Sequence, residues 1–142
     1  MMEKEMVNLY SNQFAKLWSK ISKELKTHME TELAPALTEG QLNVLEVLLA
    51  QDRMKPSDLL DHLNTTPAAV TTLLDRMEKN ELVVRQRDEK DRRIVWIIPT
   101  EKGKAECMRG VDIRNEFIHS QLDRISSHNQ QLLLFLLGKV AN

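Results

Sequence analysis

The sequence is poor in cysteine, glycine, proline and aromatic residues, and each shortage excludes something. Its single cysteine, Cys107, cannot form an internal disulfide. The opening MMEKEMVNLY lacks the apolar stretch of a secretory signal, so the cytoplasm is the expected compartment. Four glycines, four prolines and 4% aromatic residues argue against a turn-rich sandwich or barrel. The longest apolar run, Leu132 to Leu137, is six residues, where a membrane-spanning helix needs roughly 18 or more. Enzyme signatures are also missing: there is no nucleophile elbow, glycine-rich phosphate loop, His-Glu metal helix or paired buried carboxylate. What fills the chain is Leu, Met, Glu, Lys and Gln, which are helix formers. At 142 residues, 42% hydrophobic and 29% charged, one domain spanning residues 1–142 with one sizeable core is the expectation.

The formal net charge of −1 weighs against nucleic acid as a partner, yet it conceals a segregation along the chain. Residues 30 to 63 carry two basic and seven acidic side chains, whereas residues 76 to 109 carry ten basic and seven acidic. A basic segment of this kind is compatible with docking on phosphate through one face.

Phe14, Leu17, Trp18, Ile21, Leu25 and Met29 recur at three- and four-residue spacing with no proline before Pro35, which predicts a long first helix. Thr38 and Gln41 form a capping box for a second helix bearing Leu42, Leu45, Leu48 and Leu49. Pro56 opens a short third helix with Leu59, Leu60 and Leu63 inward, closed by Asn64 and Thr65. Thr66 as N-cap and Pro67 as first helical residue start a fourth, running to about Asn80. Two short helices separated by about three residues make a helix-turn-helix pattern. Val83 to Arg87 and Ile94 to Ile98 are rich in β-branched or apolar residues and flank a charged six-residue tip, which reads as a β-hairpin. Lacking Asn-Gly, that tip is expected to be open and mobile. After Pro99, Thr100 and Gly103 start a helix carrying Met108, Val111, Ile113, Phe117, Ile118, Leu122 and Ile125, and a last helix follows Ser126 or Ser127. The predicted fold class is mainly α with a small β-hairpin wing.

On a helical wheel, Val70, Leu73, Leu74 and Met77 share one face of the helix from Pro67, with Asp75 and Arg76 opposite. The outer face of its first half offers only Ala68, Ala69, Thr71 and Thr72. Small side chains let a helix approach base-pair edges, where Thr hydroxyls can hydrogen-bond and methyls can meet thymine. Arg76 is placed to reach a phosphate or a guanine. In the tip, Lys90, Arg92 and Arg93 can reach an adjacent minor groove, whose potential attracts arginine. Asp91 lies two residues from Arg93, so a carboxylate there can orient the guanidinium through a bidentate pair. The candidate DNA contacts are therefore Thr66, Ala68, Ala69, Thr71, Thr72, Arg76, Lys90, Arg92 and Arg93, with Asp91 orienting the last. A solvated charged loop and an ordinary surface helix are the plainer readings of the same residues.

LTEGQLNVL, PAAVTTLLDRMEKNELVVR and DRRIVWIIPTEKG, in this order and spacing, resemble the MarR family of winged helix-turn-helix transcription regulators over nearly the whole chain. The resemblance implies that Asp91-Arg92-Arg93 is the family's Asp-x-Arg minor-groove contact. It also implies dimerisation helices at residues 1–34 and 100–142 flanking a DNA-binding lobe at 38–98. Such a regulator binds a pseudo-palindromic operator in double-stranded DNA as a homodimer and represses until a small effector releases it. Glu81 stands where the family usually has glycine, so Asn80 is expected to take the left-handed conformation that ends the helix. Pro99 replaces the usual leucine, which removes only a strand donor. The terminal stripes, with Phe14, Trp18, Phe117, Ile118 and the Leu132–Leu137 run, exceed what one winged lobe can cover, which supplies a physical need for a second copy.

The family also implies a crevice for small aromatic acids or phenols, for which Trp18, His28 and Met29 are candidate lining residues. No cofactor is expected. Glu24, His28 and Glu32 fall at i, i+4 and i+8 on one helix face, but a solvated or capping role is favoured over zinc, and no metal site is assigned. Cys107 reads as a buried small hydrophobe, with a redox-responsive regulator as the alternative. A winged-helix protein adapter that does not bind DNA is the other alternative, consistent with the net charge.

Overall fold

The computed structural model describes residues 2–142. The order is α1 (Met2–Leu33), α2 (Glu39–Ala50), α3 (Pro56–His62), α4 (Pro67–Lys79), β1 (Val83–Arg87), β2 (Val95–Pro99), α5 (Glu101–Leu122) and α6 (Ser127–Ala141). The chain divides into two compact units, one formed by the segment ending at Met29 with Ile113–Asn142, the other by Glu30–Asp112. The fold is a winged helix: mostly helical with one antiparallel hairpin.

The Glu30–Asp112 unit holds the closed core. Leu33, Leu45, Leu48, Leu59, Leu74, Met77, Leu82, Val83 and Ile97 are all essentially inaccessible to solvent, and each such side chain contributes roughly 1.5–3 kcal/mol of burial. Local signals set the helix starts. The Thr38 hydroxyl accepts from the Gln41 amide at 3.2 Å while the Gln41 side chain accepts from the Thr38 amide at 3.2 Å, completing the capping box. The Lys55 amide donates to Asp58 at 3.1 Å just before Pro56. Thr66 accepts from the Ala69 amide at 3.2 Å, and Thr100 from the Gly103 amide at 3.0 Å. The end of α1 is capped from elsewhere: Arg109 donates to the Glu32 carbonyl at 3.2 Å and the Leu33 carbonyl at 3.0 Å.

The hairpin pairs Val83 with Pro99 through Arg87 with Val95. The second strand thus begins one residue later than its β-branched run, because Ile94 donates to the Asp91 carbonyl at 3.0 Å and belongs to the turn. Ile97 also donates to the Met54 carbonyl at 2.7 Å, which ties the α2–α3 connection to the wing. The helix after the wing ends at Leu122, leaving Ile125 in the turn before α6.

The left-handed residue ending α4 is Glu81 (φ 63°), not Asn80, which sits at φ −84°. The hydrogen bonds explain the shift. Leu82 donates to the Met77 carbonyl at 2.9 Å and Glu81 to the Glu78 carbonyl at 3.0 Å, a Schellman pair in which Glu81 is the first residue beyond the cap. This register buries Leu82 with Met77, both at 0% exposure, and an earlier reversal would forfeit that packing. Glu81→Gly should therefore stabilise the fold by about 1 kcal/mol. Asn80→Gly, at an ordinary φ, should not stabilise it. Denaturant midpoints check the pair, and stabilisation by Asn80→Gly alone would contradict the assignment.

In the other unit most apolar side chains are exposed, and among the described residues only Met29 is buried. No residue of α6 is buried, and Phe14, Leu17, Trp18 and Ile21 are between 48% and 63% exposed. Phe14 stacks on Trp18 at 6.4 Å, and His28 on Phe117 at 4.5 Å. Among the described residues no helix is long and apolar enough to cross a membrane.

Candidate nucleic-acid interface

The outer face of α4 follows from which side chains the core takes. Val70, Leu74 and Met77 are buried and Leu73 is half-buried, which leaves Ala68, Ala69, Thr71, Thr72 and Arg76 exposed. Ala68, Ala69, Thr72 and Arg76 line an open groove of about 670 Å³ whose other side includes Gly40 and Asn43 of α2. Small residues keep this face concave. Both threonine hydroxyls are turned back onto the helix: Thr71 donates to the Pro67 carbonyl and Thr72 to the Ala68 carbonyl, each at 3.1 Å. With the hydroxyl proton so placed, each threonine presents acceptor lone pairs and a methyl outward. Thr66 is occupied as the N-cap.

The wing tip is closed rather than open. One oxygen of Asp88 accepts the amides of Lys90 at 3.0 Å and Asp91 at 2.9 Å, and the other accepts the Trp96 indole N–H at 3.0 Å. The Asp88 amide donates to the Ile94 carbonyl at 2.9 Å. An aspartate at the first position of the tip therefore replaces the absent Asn-Gly. Beyond it, Arg93 donates through Nε and Nη2 to the two oxygens of Asp91, both at 3.1 Å, and its amide donates to the same carboxylate at 3.1 Å. That is a bidentate pair with the guanidinium side chain 91% exposed, held outward by a carboxylate that is itself 36% exposed. The Arg93 side chain, and then its amide, keep the Asp91 carboxyl below the usual carboxylate range. Lys90 and Arg92 are exposed on the same tip, and the Arg92 carbonyl accepts from Arg87 at 2.8 Å.

Sequence reasoning missed three structural residues here. Arg85 of β1 bridges Asp75 at 2.7 Å and Glu78 at 3.3 Å, fastening the wing to the exposed side of α4. Trp96 joins Asp88 at its edge to Arg53 at its face, the guanidinium lying 4.2 Å from the ring centroid. The signal available was a tryptophan on a strand beside a charged tip, with partners on two separate segments.

The remaining candidates are placed apart. Trp18 is 59% exposed, His28 is half-buried and Met29 is 2% exposed. Trp18 and His28 lie ten residues apart on one helix, about 15 Å along its axis. Glu24 accepts from Gln121 at 3.1 Å, and among the described residues no group of three or more His, Cys, Asp or Glu is placed to hold a metal ion. Cys107 is buried in α5 at 4% exposure.

The model of the MarR family matches residues 37–95. The chain is 30% identical over 121 residues to the HTH-type transcriptional repressor YetL of Bacillus subtilis, spanning 83% of this chain and 72% of that one. The crystal structure of YusO from Bacillus subtilis superimposes with a TM-score of 0.78 at 24% identity, over 97% of this chain and 96% of the other. A mutant MarR from E. coli, solved in complex with operator DNA, superimposes with a TM-score of 0.72 at 23% identity, over 92% and 94% of the two chains. At those identities the two structures speak for the fold alone.

Proposed function

The chain belongs to the MarR family of DNA-binding transcription regulators and is not an enzyme, and from that premise we propose that it is a repressor that binds a pseudo-palindromic operator as a homodimer. The observation that carries this reading is the wing: Arg93 is held outward by both oxygens of Asp91, on the same unit as a helix whose exposed half is Ala, Ala, Thr, Thr. A major groove admits a close-fitting helix and a narrow minor groove attracts a cation, and the two features on this unit suit those two roles. Thr66, Ala68, Ala69, Thr71, Thr72 and Arg76 form the helix side of the contact, Lys90, Arg92 and Arg93 the wing side. By family resemblance, residues 1–34 and 100–142 supply the dimer contact and a small aromatic or phenolic effector, near Trp18, His28 and Met29, releases the operator.

Selection of bound sequences from random duplex DNA tests the proposal directly. It should return a two-fold symmetric site with half-sites about one helical turn apart, and affinity should fall steeply with salt. No enrichment, with no retention on DNA at low salt, would leave the winged-helix adapter as the reading.

The exposed apolar side chains of α1 and α6 support the dimer, since a monomer would leave Phe14, Leu17, Trp18, Ile21 and Leu132–Leu137 in water. Light scattering should give twice the chain mass at micromolar concentration, and a stable monomer would contradict it.

Thr72→Ala and Arg76→Ala should act differently on the selected operator. Losing Thr72 removes an acceptor and a methyl from the helix face and should relax preference at one base pair. Losing Arg76 should weaken all duplexes alike. Uniform weakening by both variants would remove Thr72 from base readout.

A further inference from the structure

Between the core of the Glu30–Asp112 unit and the tip of its wing lies a chain of three side chains that no role in DNA contact accounts for. Arg53 packs on the face of Trp96, the Trp96 indole donates to Asp88, and Asp88 accepts the amides of Lys90 and Asp91. The chain starts on a fixed point, because Met54, next to Arg53, is buried and hydrogen-bonded to Ile97, next to Trp96. It ends at Asp91, the carboxylate that holds Arg93. We propose that Asp88 is the positioning residue of the wing, held by Trp96 and Arg53, and that it sets the backbone from which Asp91 aims Arg93 at the DNA. The inference rests on the reading of Arg93 as a DNA contact under the proposed function.

The geometry explains why an aspartate is required. Its two oxygens serve different partners, a backbone pair on one and an indole on the other, and all are donors. An asparagine would turn its NH2 toward either the two amides or the indole, and so keep only one side of the set. The Trp96 N–H, followed by the amides of Asp91 and Lys90, holds the Asp88 carboxyl below its ordinary range, so it is ionised throughout the neutral region. Asp88 carries a negative charge on a surface meant for phosphate, which by electrostatics alone opposes binding. A positioning role and a charge role therefore predict opposite signs.

The test uses the full chain and a duplex recovered by selection from random DNA, with Arg93→Ala, Asp88→Ala, their double variant and Trp96→Phe. Asp88→Ala should weaken binding about fivefold per half-site and lower the salt slope by roughly one ion per half-site, as removal of the Arg93 side chain would. Trp96→Phe, which keeps the ring beneath Arg53 and loses only the N–H, should weaken it about threefold. In the double variant Asp88→Ala should add nothing to Arg93→Ala, since the side chain it positions is gone. The indole N–H resonance that disappears in Trp96→Phe should move toward its free position in Asp88→Ala. Equal weakening by Asp88→Ala in the wild-type and Arg93→Ala backgrounds would overturn the proposal, because it would show general loss of structure. Unchanged or tighter binding by Asp88→Ala would overturn it as well. Should Arg93→Ala itself bind as tightly as wild type, the reading of the wing as a DNA contact falls, and this inference with it.

Discussion

Gly103→Ala should cost the fold about 3 kcal/mol or more, an overpacking penalty at the top of the usual range. A Cβ at position 103 would lie 2.1 Å from the Leu82 carbonyl oxygen, 3.1 Å from its carbon and 3.2 Å from Leu45 Cδ2. The first of these distances decides the sign, because the obstacle is backbone. The Leu82 carbonyl accepts the Thr100 amide at 3.0 Å, and Leu82 donates to Met77 at 2.9 Å to close α4. Moving it would disturb the end of α4, the first residue of the wing and the start of α5 together. Gly110→Ala makes the useful contrast: its Cβ would meet Leu42 Cδ1 at 2.7 Å and Leu33 Cδ2 at 3.2 Å, which are ends of side chains that can turn. It should cost about 1–2 kcal/mol. Thermal unfolding of the three proteins at equal concentration checks the order. A Gly103→Ala variant melting with wild type would mean that the junction is not close-packed.

That junction also marks where the sequence stopped being readable. The starts of α2, α4 and α5 were legible because Thr38, Thr66 and Thr100 satisfy amides only three residues away, so cap and helix lie within one short window. The buried face of α4 was legible from its period. The left-handed residue was not, since α4 offers two adjacent exits and the choice depends on Leu82 reaching Met77 in a core that no local window contains. The closed tip was missed for a related reason: the fold replaces a backbone turn signal with an aspartate whose partners include Trp96, eight residues on. Arg85 with Asp75 and Arg53 with Trp96 are pairings between segments, and charges that look merely solvated along the sequence become ties once α4 and β1 are side by side. Of the candidate site, the pairing of Asp91 with Arg93 was legible from their spacing because its geometry is local.

That pair supplies the second large effect. Arg93→Ala should weaken operator binding about tenfold per half-site and lower the salt slope by roughly one ion for each guanidinium removed. Asp91→Ala is the more discriminating substitution. On the proposed reading of the tip as a DNA contact, removing a negative charge from it should tighten binding if charge alone matters. If Asp91 instead holds the guanidinium through Nε and Nη2, at 3.1 Å each, its loss frees a 91% exposed arginine to sample many rotamers, and binding should weaken about fivefold. The pair acts as one unit, so the double variant should lose less than the product of the two single factors. The pH dependence has a definite sign: a carboxyl held below its ordinary range by Arg93 stays paired at neutral pH. Its contribution is present above the ordinary carboxylate range and is lost only as pH falls through its lowered value, so operator affinity should show no step from this pair between about pH 6 and 8. Titrations at two salt concentrations decide the matter. Tighter binding by Asp91→Ala at both would show the tip to be a solvated charged loop and leave recognition to the helix from Pro67 to Lys79.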